Sequence, residues 1–470
     1  MAFASGDAPV TSIELRAAGN ARFVAPDVVG RFTLAGVRWR GSGTVRFRSR
    51  STSGRWSPWR AAQPEPEDAP DPGSSESRRY ASWRVGNPWW VGVSNSIEAR
   101  GVGHVSRIRA SLVWSPEIRV PYRTPSAAPA TGQPAIVPRA GWNADESIRR
   151  APPSYASAIR LAIIHHTAGQ NDYTRAQAPA IVRGIELFHV KGNGWNDIGY
   201  NFLVDRFGTI YEGRSGGVDR NVIGAHALGF NTGSVGIALL GTYGSTKPAA
   251  AALDAIARIV SWKLDLAHVD PTSFLTFISG GSERYPNGVP VLLSAVSGHR
   301  DTGLTECPGD ALYAKLGSIA ATARALGGPK IFDPRADAAE ASVRFRARLS
   351  QVQPWTVVVA NASGTEVARG TGTGSTVDWT WEWSGQPAGS YSWTISAGTS
   401  RPATGVLRAG GGAAPVALDG LSAAPAAISP NGDGQADSTA VSYRLGAPAN
   451  VTVEVADALG TVQATVVDRV

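Results

Sequence analysis

Apolar and polar positions nearly alternate through the first 115 or so residues. Phe32-Thr33-Leu34-Ala35-Gly36-Val37-Arg38-Trp39, Thr44-Val45-Arg46-Phe47-Arg48 and Thr11-Ser12-Ile13-Glu14-Leu15 each read as a strand with one face turned inward. Ile108-Arg109-Ala110-Ser111-Leu112-Val113-Trp114 alternates only in part. Several short strands of this kind predict a β-sandwich over residues 1–115. An acidic, Pro-containing stretch, residues 63–71, interrupts the pattern and reads as a surface loop. Trp39, Trp56, Trp59, Trp83, Trp89 and Trp90 read first as core and loop packing, and second as platforms for sugar rings.

The pattern then changes twice. Pro116, Pro121, Pro125, Pro129, Pro134 and Pro138 among small residues give 116–138 the composition of a linker. Residues 139–326 read as mixed α/β. Leu161 to Ile164 forms a buried strand, followed by a helix that tolerates Pro179 in its first turn and carries Ile181, Ile185 and Phe188 on one face. Residues 200–204 and 234–240 read as strands, 250–264 and 310–326 as helices. Beyond these the chain is β-like again, with an internal repeat: a shift of 96 places puts Arg348-Leu349, Val357, Val359, Gly364 and Thr365 on Arg444-Leu445, Val453, Val455, Gly460 and Thr461. The expected units are a β-domain at 335–410 and the start of a second at 421–470, which stops too soon to complete the same sandwich. The whole reads as a multidomain chain: a central α/β domain, a mixed sheet with flanking helices, between β-sandwich domains.

With 470 residues and 43% hydrophobic content there is material for several cores. The net charge of +8 predicts a polyanionic neighbour. No Lys/Arg run resembles a nucleic-acid arm; the basic residues are spread, as in Arg46, Arg48 and Arg50 on one strand face. Nucleic acid and the anionic polymers of a bacterial cell wall both qualify on charge alone. No stretch approaches the ~20 apolar residues of a membrane helix. Ala2-Phe3-Ala4 before Ser5-Gly6-Asp7 looks like the end of a signal-peptide cleavage site, so an upstream start and export are expected.

The chain has one cysteine, in Gly298-His299-Arg300-Asp301-Thr302-Gly303-Leu304-Thr305-Glu306-Cys307-Pro308-Gly309. It has no intramolecular disulfide partner, and a histidine precedes it across a short loop. Imidazole and thiolate together suit zinc, whose catalytic sites take three protein ligands and keep one position open. The third ligand is expected from Ile163-Ile164-His165-His166-Thr167. Adjacent strand residues face opposite ways, so one of the two histidines can reach the metal.

Six ordered segments now carry a resemblance: Ile163-Ile164-His165-His166-Thr167, Gly194-Trp195-Asn196-Asp197-Ile198-Gly199-Tyr200, Ile223-Gly224-Ala225-His226, Ser234-Val235-Gly236-Ile237, Gly298-His299-Arg300 and Thr305-Glu306-Cys307-Pro308-Gly309. Together they resemble the peptidoglycan-recognition-protein and type 2 amidase family of zinc N-acetylmuramoyl-L-alanine amidases. The resemblance implies Zn2+ held by His165, His299 and Cys307, and catalytic roles for Tyr200 and Thr305. It also implies a substrate groove with His189, Trp195, Arg214, His226 and Asn231. Some amidases of the superfamily carry a catalytic glutamate in the strand 234–238, where this chain has Ala238. The C-terminal repeats resemble FlgD-type immunoglobulin-like modules. There Val377, Trp379, Trp381 and Trp383 alternate as a strand core, and Asn431-Gly432-Asp433-Gly434 with Asp437 reads as a polar turn with some likeness to a calcium loop.

The function implied is a secreted, cell-wall zinc amidase cleaving peptidoglycan between the lactyl group of N-acetylmuramic acid and L-alanine. The rival is a non-catalytic peptidoglycan binder using the same groove. Cys307 separates them, because recognition-only relatives commonly lose the thiolate. The run Gly280 to Pro290, an insertion between a helix and the metal loop, is placed where a rim could form, and its sequence assigns it no role.

Overall fold

The computed structural model describes residues 9–470 apart from 26–28, 65–66, 78–82, 118–131, 340, 384, 410–417, 426–427, 429–438, 446–450, 457–461 and 469–470. The export motif at Ala2–Asp7, most of the Pro-rich segment and the candidate calcium turn at Asn431–Asp437 therefore lie outside the described residues. The chain divides into two compact units, Met1–Gly328 and Pro329–Val470.

In the first unit the N-terminal strands belong to one hydrogen-bonded system rather than two separate sheets. The reason is the long strand Trp89–Val102, which pairs with Phe32–Arg40 near its start and with Thr44–Ser51 and Arg22–Val24 further on. Its core holds Phe32, Val37, Trp39, Phe47, Ile97 and Ile108. Along Thr44–Ser51 the alternation is as read: Val45, Phe47 and Ser49 are buried while Arg46 and Arg50 are exposed. Trp39 and Trp90 are buried; Trp56 is exposed, with the Arg48 guanidinium 4.7 Å from its ring centroid.

The central sheet runs, in spatial order, Ile136–Val137, Ile210–Glu212, Phe202–Val204, Ser234–Leu239, Leu161–His166, Val296–Gly298. All neighbours are parallel except Ile210–Glu212 with Phe202–Val204. Leu161–His166 and Ser234–Leu239 are buried at every position, as a sheet covered on both faces requires. Ile164, Ile237 and Val204 point to helices Ala250–Asp265 and Leu316–Ala325. Leu203 and Ala238 point the other way, into the core with helix Ala178–Leu187. The C-terminal helical stretch is broken into Asp310–Tyr313 and Leu316–Ala325.

Two features depart from the linker expected at 116–138. Ile136–Val137 is an edge strand of the central sheet, paired with Ile210–Tyr211. The two domains also share a core: Leu34, Trp90 and Val113 pack in one cluster with Ile181, Ile185, Phe188 and Val190. Gly36 makes this approach possible, since a Cβ there would overlap the Phe188 ring.

In the second unit Ile331–Ala338, Ser342–Ala360, Glu366–Glu382, Gly389–Ala397 and Ala403–Ala409 form a five-stranded antiparallel sheet. Val377, Trp381 and Trp383 are buried in its core, and Trp379 stacks on Phe345 at 5.7 Å. Val377 and the three tryptophans of this stripe are thus committed to packing. Leu418–Ala424 pairs with Ala440–Leu445, and Thr452–Ala456 with Val462–Asp468.

Candidate metal centre and cleft

Strand register builds the site. Leu161–His166 lies beside Val296–Gly298 with Ile164 opposite Gly298, so the ends of both strands deliver His165 and His299 to one place. The short turn His299–Asp301 is tied back by Asp301, whose carboxylate accepts the Gly298 N–H at 2.8 Å and the Tyr313 hydroxyl at 2.7 Å. The Arg300 N–H donates to the Cys307 carbonyl at 2.9 Å, closing the loop so that the thiol returns to the histidines. Thr305 Oγ1 accepts the Cys307 N–H at 3.0 Å, and Sγ accepts the His166 N–H at 3.4 Å.

One donor atom each from His165, His299 and Cys307 lies within 4.8 Å of the others, and all three residues are buried. His166 faces away, its Nδ1 accepting the Tyr243 N–H at 3.3 Å. Burial pushes His165 down to about 3 and, with His165 beside it, His299 likewise to about 3. Both rings are neutral and offer lone pairs. Neither ring nitrogen of His299 has a well-formed hydrogen bond, and Nδ1 faces Asp68 Oδ1 at 3.3 Å. Two neutral imidazoles and a thiol converging with an uncommitted buried nitrogen fit Zn2+ by donor type and number.

The outer layer fits too. His226 Nδ1 stands 3.1 Å from His165 Nε2, and His226 is itself held by Asn231 Oδ1, which accepts its backbone N–H at 2.6 Å. A partner on the remote nitrogen orients a metal-binding imidazole. Gly236 permits it, because a Cβ there would overlap the His226 ring. His226 is fully buried behind His165 in this structure, not open to a groove. Ala238 is opposite His165 in the strand register, so no carboxylate projects from that position.

The remaining expected residues surround the cluster. The Tyr200 ring is 5.4 Å from that of His165. His189, in the single π turn Phe188–Gly192, accepts the Gly199 N–H on Nδ1 at 3.0 Å and packs on Trp195 at 4.4 Å. Burial, then nearby Arg214, lowers His189 to about 3. His189, Trp195 and Asn193 line one side of a cavity of about 580 Å³; Trp39, Trp83 and Arg84 of the N-terminal domain line the other.

The acidic stretch read as a surface loop lies in this cleft. Glu67 is fully buried, and Asp68 and Glu76 nearly so. Asp68 Oδ2 accepts the Tyr200 hydroxyl at 2.9 Å; its Oδ1 is 3.3 Å from Nδ1 of both His165 and His299, yet makes no hydrogen bond. Burial pushes the Asp68 carboxyl up, opposed by His299 and the Tyr200 hydrogen bond. Burying a carboxylate costs several kcal/mol unless a cation or donors offset it. Arg214 pairs with Glu76, and Asn231 Nδ2 donates to the Ala69 carbonyl at 2.9 Å and to Asp71 Oδ1 at 2.7 Å. The 280–290 run meets the same stretch, the Glu283 N–H donating to Glu67 Oε1 at 2.8 Å. Sequence reading missed these contacts because a run rich in Glu, Asp and Pro has the composition of solvated loop; nothing in its spacing marks a buried partner.

Residues 155–310 match the family model described as N-acetylmuramoyl-L-alanine amidase, and residues 4–135 match Rv3811 N-terminal galactose-binding domain-like. Peptidoglycan-recognition protein SC2 of Drosophila simulans is 33% identical over 181 residues, 38% of this chain and 84% of that protein. An N-acetylmuramoyl-L-alanine amidase of Sus scrofa is 33% identical over 187 residues, 39% of this chain and 27% of that protein. Among solved structures, Drosophila PGRP-LB aligns at 30% identity and a TM-score of 0.31, covering 39% of this chain and 92% of that one. No helix among the described residues is long and apolar enough to cross a membrane.

Proposed function

The chain belongs to the family of peptidoglycan-recognition proteins and N-acetylmuramoyl-L-alanine amidases, and from that premise we propose that it is a zinc-dependent N-acetylmuramoyl-L-alanine amidase. Its reaction is hydrolysis of the amide between the lactyl group of N-acetylmuramic acid and L-alanine. The observation that carries this reading is the complete donor set, His165, His299 and Cys307, gathered within 4.8 Å. A zinc ion bound there supplies a water acidified toward pKa ~7 and a Lewis acid for the scissile carbonyl.

The chain's own residues do the rest. His226 holds the remote nitrogen of His165 and so sets the angle of that ring. Thr305 holds the Cys307 amide, which makes it a positioning residue for the thiolate. Tyr200 directs its hydroxyl toward the ligand cluster, where it can donate to charge developing on the amide oxygen. Arg214, which already holds a carboxylate, suits an acidic group of the stem peptide. The cavity bounded by Trp195 and Trp83 has a size suited to a sugar unit of the glycan. Peptidoglycan lies outside the cytoplasmic membrane, so this reading also makes the protein an exported one, and its net charge of +8 favours contact with anionic wall polymers.

The test measures new L-alanine amino groups released from purified peptidoglycan by the zinc-loaded chain and by Cys307→Ala. Release should fall at least ~1000-fold in the variant, the scale of losing a metal that carries the chemistry. It should also fall on chelation and return with zinc. Equal release by both proteins would refute the zinc mechanism, and tight sacculus binding with no release by either, or by Asp68→Asn, in which the carboxylate beside both ligand histidines is removed, would identify a recognition protein.

A further inference from the structure

Four acidic side chains of the N-terminal domain occupy the cleft, and three of them, Asp68, Asp71 and Glu76, meet a residue expected in the site. Asp68 stands against His165, His299 and Tyr200. Asp71 takes the Asn231 side chain at 2.7 Å, its backbone N–H at 3.2 Å and the Thr232 hydroxyl at 3.1 Å. Glu76 takes Arg214 and the Asn196 N–H, the latter at 2.9 Å. Glu67 takes the Glu283 N–H, while its carbonyl accepts the Leu228 N–H at 2.8 Å. An anionic segment of this chain thus lies where the proposed anionic stem peptide must lie.

We infer that residues 67–76 are a built-in occupant of the active cleft, with Asp68 as fourth ligand to the zinc, so that the chain folds in a latent form. The inference rests on the zinc-amidase reading. Its first support is geometric: Asp68 Oδ1 is equally distant from the two Nδ1 atoms, buried, aimed between them and without a hydrogen bond. That is the placement of an oxygen sharing a cation with both rings. A catalytic zinc needs one position free for water, and an aspartate there closes it. The second support is the kind of attachment. The segment is held by charge-assisted and backbone hydrogen bonds, which an incoming ligand of the same charge can replace one for one. Acidic stem peptides on polymeric peptidoglycan are such a ligand, and repeated units raise their local concentration at the cleft.

The experiment uses the full chain loaded with Co2+, a spectroscopic stand-in for zinc, as wild type, Asp68→Asn and Asp71→Asn. It reads cobalt uptake, the response of the visible spectrum to azide, and amide release from peptidoglycan. The expected result is one cobalt in each protein, a wild-type spectrum indifferent to azide, and an Asp68→Asn spectrum that shifts because an exchangeable position has opened. Release should rise at least tenfold in Asp68→Asn and several-fold in Asp71→Asn, which loosens the segment without touching a metal ligand. Equal uptake with equal azide responses and equal release across the three proteins would overturn the inference and leave the amidase reading standing. No cobalt uptake by any of them would overturn both.

Discussion

The strand Leu161–His166 and the segment 67–76 bring side chains to the same few ångströms of cleft, and they are secured by opposite means. The strand is buried at every position, laddered on both edges, and locked by Ile164 on one face and the His165 layer on the other. Moving it would open the core of the central domain. The acidic segment is buried as well, yet what holds it is a set of polar contacts: side-chain bonds to Asn231, Thr232, Arg214 and Tyr200, and bonds to the Glu67 and Ala69 carbonyls. Apolar burial has no substitute partner short of unfolding, whereas each of these polar contacts can be exchanged for water or a ligand. Permanence in this site follows from the type of contact, and burial alone does not report it.

Substitutions can break or sharpen that contrast. The largest effect is expected from His165→Ala, which should weaken zinc binding by at least ~1000-fold in a competitive chelator titration, since it removes one of three ligands. Retained affinity would mean that the strand does not supply the metal. Leu34→Ala, at a position 1% exposed where the two domains share a core, should destabilise the first unit by about 2–5 kcal/mol in denaturant melts. If the cost is below about 1 kcal/mol, the shared core is not what joins the domains. His226→Ala should lower zinc affinity by about 10–100-fold while the fold persists, the range for an outer partner of a ligand histidine; unchanged affinity would remove its orienting role. Smallest of all, Thr232→Ala takes one exposed hydroxyl from Asp71. It should change stability by less than about 1 kcal/mol yet increase amide release measurably, and a large loss of stability would show the segment to be structural.

The parts of this molecule written in local pattern were legible early. Leu161 to His166 is an unbroken apolar run ending in two histidines, and its length and period state a covered strand with one histidine on each face. The helix at Ala178–Leu187 was marked by Pro179 and by Ile181 and Ile185 on one face. The N-terminal strands were equally plain, but their union into one hydrogen-bonded system was not. It depends on where Trp89–Val102 changes partners, and alternation is the same whichever neighbour a strand takes. The motif Ile223–His226 predicts a groove position for His226; its burial behind His165 is decided by Gly236, which lies ten residues further along the chain.

What the sequence determined by itself is the donor chemistry and its scaffold: a lone thiol beside a histidine, a second histidine closing a buried strand, and the mixed sheet that carries them. Those are properties of residue type and short-range period, which act through the chain's own neighbours. The tertiary structure alone decided what fills the fourth side of that site. Asp68 reaches His165 and His299 across 97 and 231 positions of sequence. An acidic, proline-bearing run looks the same in sequence whether water or a cleft receives it. Only the packing of the N-terminal domain against the central one, through Leu34, Trp90 and Val113, places those carboxylates over the site.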